Sequence, residues 1–141
     1  MNVTNYHKAQ VLNYVFGATA YTPPSNWYLG VSTSLIDEDG IATEPTDAAY
    51  ARAAIVNDKT SNGWTTISTT PSKVTTRKKA DVGSISTEAW GRIASIFLAN
   101  TDGSVPANDH ICYYADADPD FLLGIYTLLY YAIGDVSVTL A

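Results

Sequence analysis

Residues Tyr21–Thr33 read YTPPSNWYLGVST, and the fold turns on how this stretch is parsed. Pro23 and Pro24 force the chain out of helix, because each ring fixes φ and removes a backbone donor. They also bias Thr22, and Pro23 itself, toward extended geometry. Ser25-Asn26 supplies turn chemistry. Trp27, Leu29 and Val31 then alternate with Tyr28, Gly30 and Ser32, the period of two that marks a strand. The stretch is a hinge between an N-terminal helical arm, residues 1–20, and a β domain, residues 21–141.

Upstream, Thr4–Phe16 predicts a short amphipathic helix. Thr4 or Asn5 can cap its N-terminus. Ala9, Leu12, Val15 and Phe16 fall on one face, and Gly17 stands where a helix commonly ends. That face can pack on the chain's own sheet or on a neighbouring subunit. Downstream the pattern is strand and turn. Leu35–Thr46 is an acidic loop with an Asp39-Gly40 turn. Strands are expected at Ala49–Val56 and Trp64–Thr69, joined through Asn62-Gly63. Arg92–Leu98 is apolar enough to be buried on both faces. Ile111–Ala115 reads as a strand and Asp116–Asp120 as a tight acidic turn. Leu122–Ile133 reads as one long strand or a bent pair, with Tyr126, Tyr130 and Tyr131 available to a sheet face. Gly134-Asp135 turns the chain into a last strand, Val136–Leu140. Short strands with turn signals between them predict a mainly β protein, an antiparallel, jelly-roll-like β-sandwich with a short N-terminal helix.

Composition narrows the function. With 141 residues the chain is long enough for one domain with a real core. Only 16% of residues are charged, and Thr, Ser, Ala and Tyr fill the surface instead. Such a surface suits lateral contact with other protein better than a free enzyme in solution. A net charge of −6 argues against nucleic acid as the main partner. A single cysteine, Cys112, excludes an intrachain disulfide framework. Residues 1–16 lack the basic and apolar regions of a signal peptide. The most apolar run, Phe121–Ile133, is shorter than the roughly 20 residues that span a bilayer, so no membrane association is expected.

Catalytic chemistry finds no foothold. Ser32 is not a nucleophile elbow, since Ser34 stands where that motif requires glycine. Cys112 lies in an apolar strand, the setting of a core thiol. His7 and His110 have no partner defined by spacing. Asp116, Asp118 and Asp120 alternate as in the opening of an EF-hand, but Phe121 occupies the glycine position and Thr127 the glutamate position. A solvated turn is the reading they support, with a looser cation site left open. No cofactor is expected. Lys73, Arg77, Lys78 and Lys79 are four of the eight positive charges. They can line a solvated edge that discourages strand pairing, or dock an acidic neighbour such as loop 37–39 or 116–120 of another copy.

Several segments together carry a resemblance: Tyr21-Thr-Pro-Pro with Trp27-Tyr-Leu-Gly-Val-Ser-Thr33, then Ala49-Tyr50-Ala51-Arg52, then Glu88-Ala-Trp90-Gly91-Arg-Ile-Ala-Ser-Ile-Phe97. A short helix precedes them, and an Ile133-Gly134-Asp135 turn before a Val-Ser-Val strand follows. This order resembles a family of small virion proteins of tailed bacteriophages, commonly labelled tail fibre proteins and in some cases assigned to capsid decoration. The chain departs from it in a more charged Pro71–Lys79 and a more apolar Phe121–Tyr131.

The resemblance implies a sandwich with an N-terminal helix, located in the virion, assembled in many copies, without catalysis. Its partners would be other virion proteins, the major capsid protein or tail proteins, and further copies of itself. The first expectation is a capsid decoration protein that reinforces the head. The alternative is a tail fibre or tail-tip component contacting host glycan or protein. Leu12, Val15, Phe16, Trp27, Tyr28, Lys73, Arg77, Lys78 and Lys79 are the expected interface residues. Replacing Pro23 and Pro24 by Ala is expected to leave the β domain folded, by circular dichroism, and to weaken incorporation into phage particles; unchanged incorporation would count against the hinge.

Overall fold

The alternation at Trp27–Val31 becomes the centre of a five-stranded antiparallel sheet. The structure, a computed structural model, describes residues 1–17, 19–69 and 72–140, without the side chains of residues 68, 69, 118, 119 and 140. In chain order the elements are β1 (Asn2–Val3), α1 (Asn5–Phe16), β2 (Asn26–Ser32), β3 (Ala53–Val56), β4 (Ser68–Thr69), β5 (Ser72–Thr75), β6 (Ala80–Val82), β7 (Gly91–Ala99), a 3₁₀ turn (Pro106–Asn108), β8 (Ile111–Leu123), β9 (Leu129–Tyr131) and β10 (Ser137–Leu140). The large sheet has the order β1-β8-β7-β2-β3. Two small sheets, β10-β5-β4 and β6-β9, complete the β structure. The protein is mainly β, with antiparallel pairing throughout and one short α-helix at the N-terminus among the described residues.

The sandwich arises because each face of the large sheet has something to bury. On one face Trp27, Leu29 and Val31 of β2 meet Ile55, Ile93, Leu98 and Leu123. Val82, Leu129, Val136 and Trp64 close this core from the small-sheet side. On the opposite face Phe97, Ala99, Ile111 and Tyr114 form a second cluster, capped by Ile36 from the acidic loop. β7 is buried on both sides as its apolar run predicts. Ile93 and Leu98, five residues apart, both serve the first core, and the β7–β8 register shifts between them, at Ile93/Ser95.

Gly30 lies beneath the second cluster. It stands opposite Phe97 in the β2–β7 register. A Cβ there would lie 2.3 Å from Phe97 Cζ and 2.8 Å from the Tyr50 hydroxyl. The absence of a side chain is what lets the Phe97 ring cross the strand.

Several sequence expectations change. The strand expected at Ala49–Val56 begins only at Ala53, because Asp47 captures the preceding backbone: its Oδ1 accepts from Ala49 N and its carbonyl from Tyr50 N. Of Trp64–Thr69, only Ser68–Thr69 is strand, and Trp64 makes an isolated bridge to Thr76. The acidic turn at Asp116–Asp120 is instead part of continuous β8. There Ala94 alone stands against Ala117–Asp120, between the pairs Ser95–Asp116 and Ile93–Phe121, so the surplus residues bulge. A bulge suits Pro119, which has no N–H to give a ladder. Leu122–Ile133 is broken at Gly124–Leu128 before β9 begins. Gly17 closes α1 by donating its N–H to Asn13 O at 2.9 Å, but with φ −101° rather than in the left-handed form. Pro71, where the basic stretch begins, lies outside the described residues.

Gly30→Ala is expected to cost about 1–3 kcal/mol in urea unfolding, the range of overpacked cores. Combined with Phe97→Leu it should cost less than the sum of the two single changes, since the smaller side chain vacates the space the new methyl needs. Strict additivity would show that the crossing is not what constrains this position.

Candidate interaction surfaces

The N-terminal helix is built in two halves. Its first turn is fastened to the large sheet. Thr4 is fully buried and caps the helix, its Oγ1 accepting from His7 N at 3.4 Å and donating to Ile111 O at 2.7 Å. β1 extends the sheet alongside β8. His7 lies buried, its Nε2 2.8 Å from the Tyr113 hydroxyl and its ring edge-on to Trp27 and Tyr21. Burial lowers its pKa and so favours the neutral ring. Tyr6 stacks on His110 with ring centroids 3.8 Å apart. Both histidines are thus packing residues of the helix–sheet joint.

The second half of α1 leaves the sheet. Every residue from Val11 to Phe16 is exposed, including Leu12, Val15 and Phe16, the last at 83%. Of the two places this face could pack, the chain's own sheet does not cover it beyond Gln10. Apolar residues exposed around a helix end are the mark of a segment that another surface covers. Beside it, Val3, His7, Val11, Leu12 and Tyr113 line a groove.

The other expected interface residues fall in different places. Trp27 is only 8% exposed and belongs to the core, showing no more than an edge to a recess it shares with Trp64. Its position on the inward face of β2 is the physical reason. Tyr28 points the other way, half-buried beside a shallow groove formed with Pro24 and the 100–108 loop. Lys73 is exposed on β5, and Arg77, Lys78 and Lys79 lie exposed between β5 and β6. Lys79 pairs with Asp81 at 2.7 Å and lies over the Tyr130 ring. Arg77 donates to Lys59 O. Asp120 pairs with Arg92 across the β8 bulge. The side chain of Asp118 lies outside the described residues. Cys112 is buried, and burial pushes its thiol up to about 12, as befits a core residue.

Two polar networks hold the loops that frame these surfaces, and neither was visible in residue spacing. In one, the Arg52 guanidinium, 4% exposed, binds Glu44 Oε1 at 2.6 Å, Asp109 Oδ2 at 2.7 Å and Thr101 O at 2.9 Å. It lies 5.0 Å from the centre of the Phe97 ring. Burial opposes its charge, but the bonds to Glu44 and Asp109 outweigh burial and raise its pKa. Burial and then Glu44 raise that of Tyr50, whose hydroxyl donates to Glu44 Oε2 at 2.5 Å. In the other, Asp47 accepts from the Thr87 hydroxyl, from Ala49, Thr87 and Glu88 N–H groups, and from the Trp90 indole at 2.9 Å. These donors, the Thr87 hydroxyl foremost, hold its carboxyl well below the usual range.

These networks join the segments that carried the sequence resemblance: Tyr50 and Arg52 with Trp90, whose ring meets Tyr50 edge-on at 5.3 Å. A family model described as Podophage GP4 fiber I protein gp80 matches residues 2–110. The chain belongs to this family. The matched span contains α1, both polar networks and every strand from β1 to β7, and ends just before β8. A search of curated proteins gave no match. Membership makes the protein a structural component of a phage virion. No helix among the described residues is long and apolar enough to cross a membrane.

Asp47 gives the fold an acid sensitivity of known sign. Its lowered pKa means that its bonds stabilise the native state above the ordinary aspartate value of about 3.9, and that this contribution is lost as pH falls through the lower folded value. Asp47→Asn is expected to lower the unfolding midpoint at neutral pH and to flatten its decline below about pH 5. Asp102 and Asp109 also have lowered pKa values and leave part of the slope in place. Thermal unfolding across a pH series checks this; parallel curves for the two proteins would show that Asp47 does not carry the linkage.

Proposed function

We propose that this protein is a fibre component of a podophage tail, a non-catalytic subunit that works by burial against other virion proteins. The observation that carries the reading is the free half of α1. Val11–Phe16 projects an apolar surface from a helix whose base is locked by Thr4, His7 and β1. A segment rigid at its root and uncovered at its tip is built to be received by a neighbour. The family description supports a fibre over the decoration of the head.

On this reading residues 1–20 are the attachment arm and residues 21–141 the body. Leu12, Val15 and Phe16 make the apolar contact. Lys73, Arg77 and Lys78, with Lys79, present positive charge to an acidic partner surface, and Tyr28 adds an aromatic edge. A lasting contact of this kind buries on the order of 1,000 Å² or more, so the arm would share the contact with part of the body. The partners are other virion proteins and further copies of the chain.

Capsid decoration is the second reading. One observation favours it: three short sheets packed into one body, with no shaft-like repeat among the described residues. Cryo-electron microscopy of intact particles separates the two, with density for this chain expected on the tail; density confined to the head overturns the fibre reading. In the same particles, Leu12→Asp with Phe16→Asp should leave the purified protein folded and reduce its incorporation.

A further inference from the structure

A second apolar surface lies away from the arm, beyond the residues matched by the family model. Between β8 and β9 the chain turns through Gly124–Thr127, and Tyr126 adopts φ +58°, the one non-glycine residue in that region among those described. A bulky residue there is strained, and such strain persists only where the surroundings impose it. Here Ser86 imposes it. This residue is fully buried, and its Oγ donates to Gly124 O and accepts from Thr127 N. Its backbone exchanges bonds with the same loop: Ser86 N to Thr127 O, and Tyr126 N to Ser86 O. Four hydrogen bonds to one serine thus hold a loop whose product is a tyrosine 81% exposed, flanked by exposed Leu122 and Ile125. Nothing in the chain's own packing uses that side chain.

The same molecule carries a matching recess. Between the large sheet and the β10-β5-β4 sheet lies a cavity of about 240 Å³ walled by Trp27, Trp64, Val74, Leu98 and Val138. Its rim is marked by Ile67, 59% exposed. The space admits one aromatic ring and not a helix, which needs about 10 Å across, so the tip of α1 is not its guest. Charge agrees with the match. The exposed cations Lys59 and Arg77 flank the recess and outnumber the one carboxylate at its rim, Asp58. Exposed Glu88, two residues from Ser86, gives the tyrosine loop a negative neighbour, while Asp120 of the β8 bulge is paired with Arg92.

We infer that Tyr126 of one copy inserts into the Trp27–Trp64 recess of the next, giving a head-to-tail contact between copies of this chain. Knob and hole are different surfaces of one molecule, so the contact is heterologous and propagates into a ring or an open stack. It deepens the self-assembly in the reading above and rests on it, but it concerns the free protein and not its place on the particle.

Sedimentation of the purified chain tests it. The wild type is expected to associate with increasing concentration, with a change in tryptophan emission as the recess fills. Tyr126→Ala should weaken association about thirtyfold or more, as loss of a binding hot spot does, with the circular dichroism unchanged. Ile67→Arg, at the exposed rim, should block the recess and have the same effect. Mixing the two variants restores one intact knob and one open recess and should yield a 1:1 dimer that grows no further. A wild type that stays monomeric, association that survives Tyr126→Ala, or a mixture that fails to pair would each overturn the proposal. A tail location on the particle would stand in any of those cases.

Discussion

Arg52 sets the constraint on which one side of the molecule depends. Its guanidinium is almost wholly buried and must find partners for its donors there. Glu44 comes from the acidic loop, Asp109 and Thr101 from the loop between β7 and β8, and Phe97 from the sheet beneath. The same ring is the one Gly30 admits. Backbone, ring, cation and two carboxylates therefore form a single stack on one face of the sheet. A buried ion pair of this kind adds little over a well-packed apolar core, but losing one partner strands the other charge at a cost of about 3–5 kcal/mol. What it confers is uniqueness: the two loops have one arrangement that satisfies all three charges.

Asp47 does the corresponding work one loop further on. Five donors converge on its carboxylate, three of them backbone N–H groups that no strand claims. A loop-rich β protein has many such groups, and each one buried without a partner costs free energy. With loops fixed by polar hubs, the apolar residues are released from that task. Some go to the two cores. Others, on α1 and around Tyr126, stay exposed on rigid supports, and rigid display lowers the ordering cost of association. The low charge of the surface fits the same economy.

Much of the strand framework was legible in the sequence. The β2 alternation, the doubly buried β7 and the Thr4 cap follow from side-chain period and local hydrogen-bonding chemistry, which act within a few residues. Where the reading failed, a side chain outside the strand intervened. Ala49–Val56 lost its first half to Asp47. The acidic stretch at 116–120 looked like a turn because carboxylates and a proline favour one, yet β7 and Arg92 hold it as a bulge in a continuous strand. The family resemblance had picked out Tyr50, Arg52 and Trp90 without a reason; their reason is spatial.

By itself the sequence determined the class of the protein: mainly β, helix first and low in charge. Those properties are sums over composition and local pattern, whereas the phage virion type came from the family resemblance. Tertiary structure decided which apolar residues are available. Trp27 and Phe16 look alike in a hydropathy pattern, yet one lies under a second sheet and the other stands past the sheet's edge. Tyr126 gained its exposure from Ser86, forty residues away in the chain. Exposure depends on where elements end relative to one another, and that geometry is set only when the sheets pack.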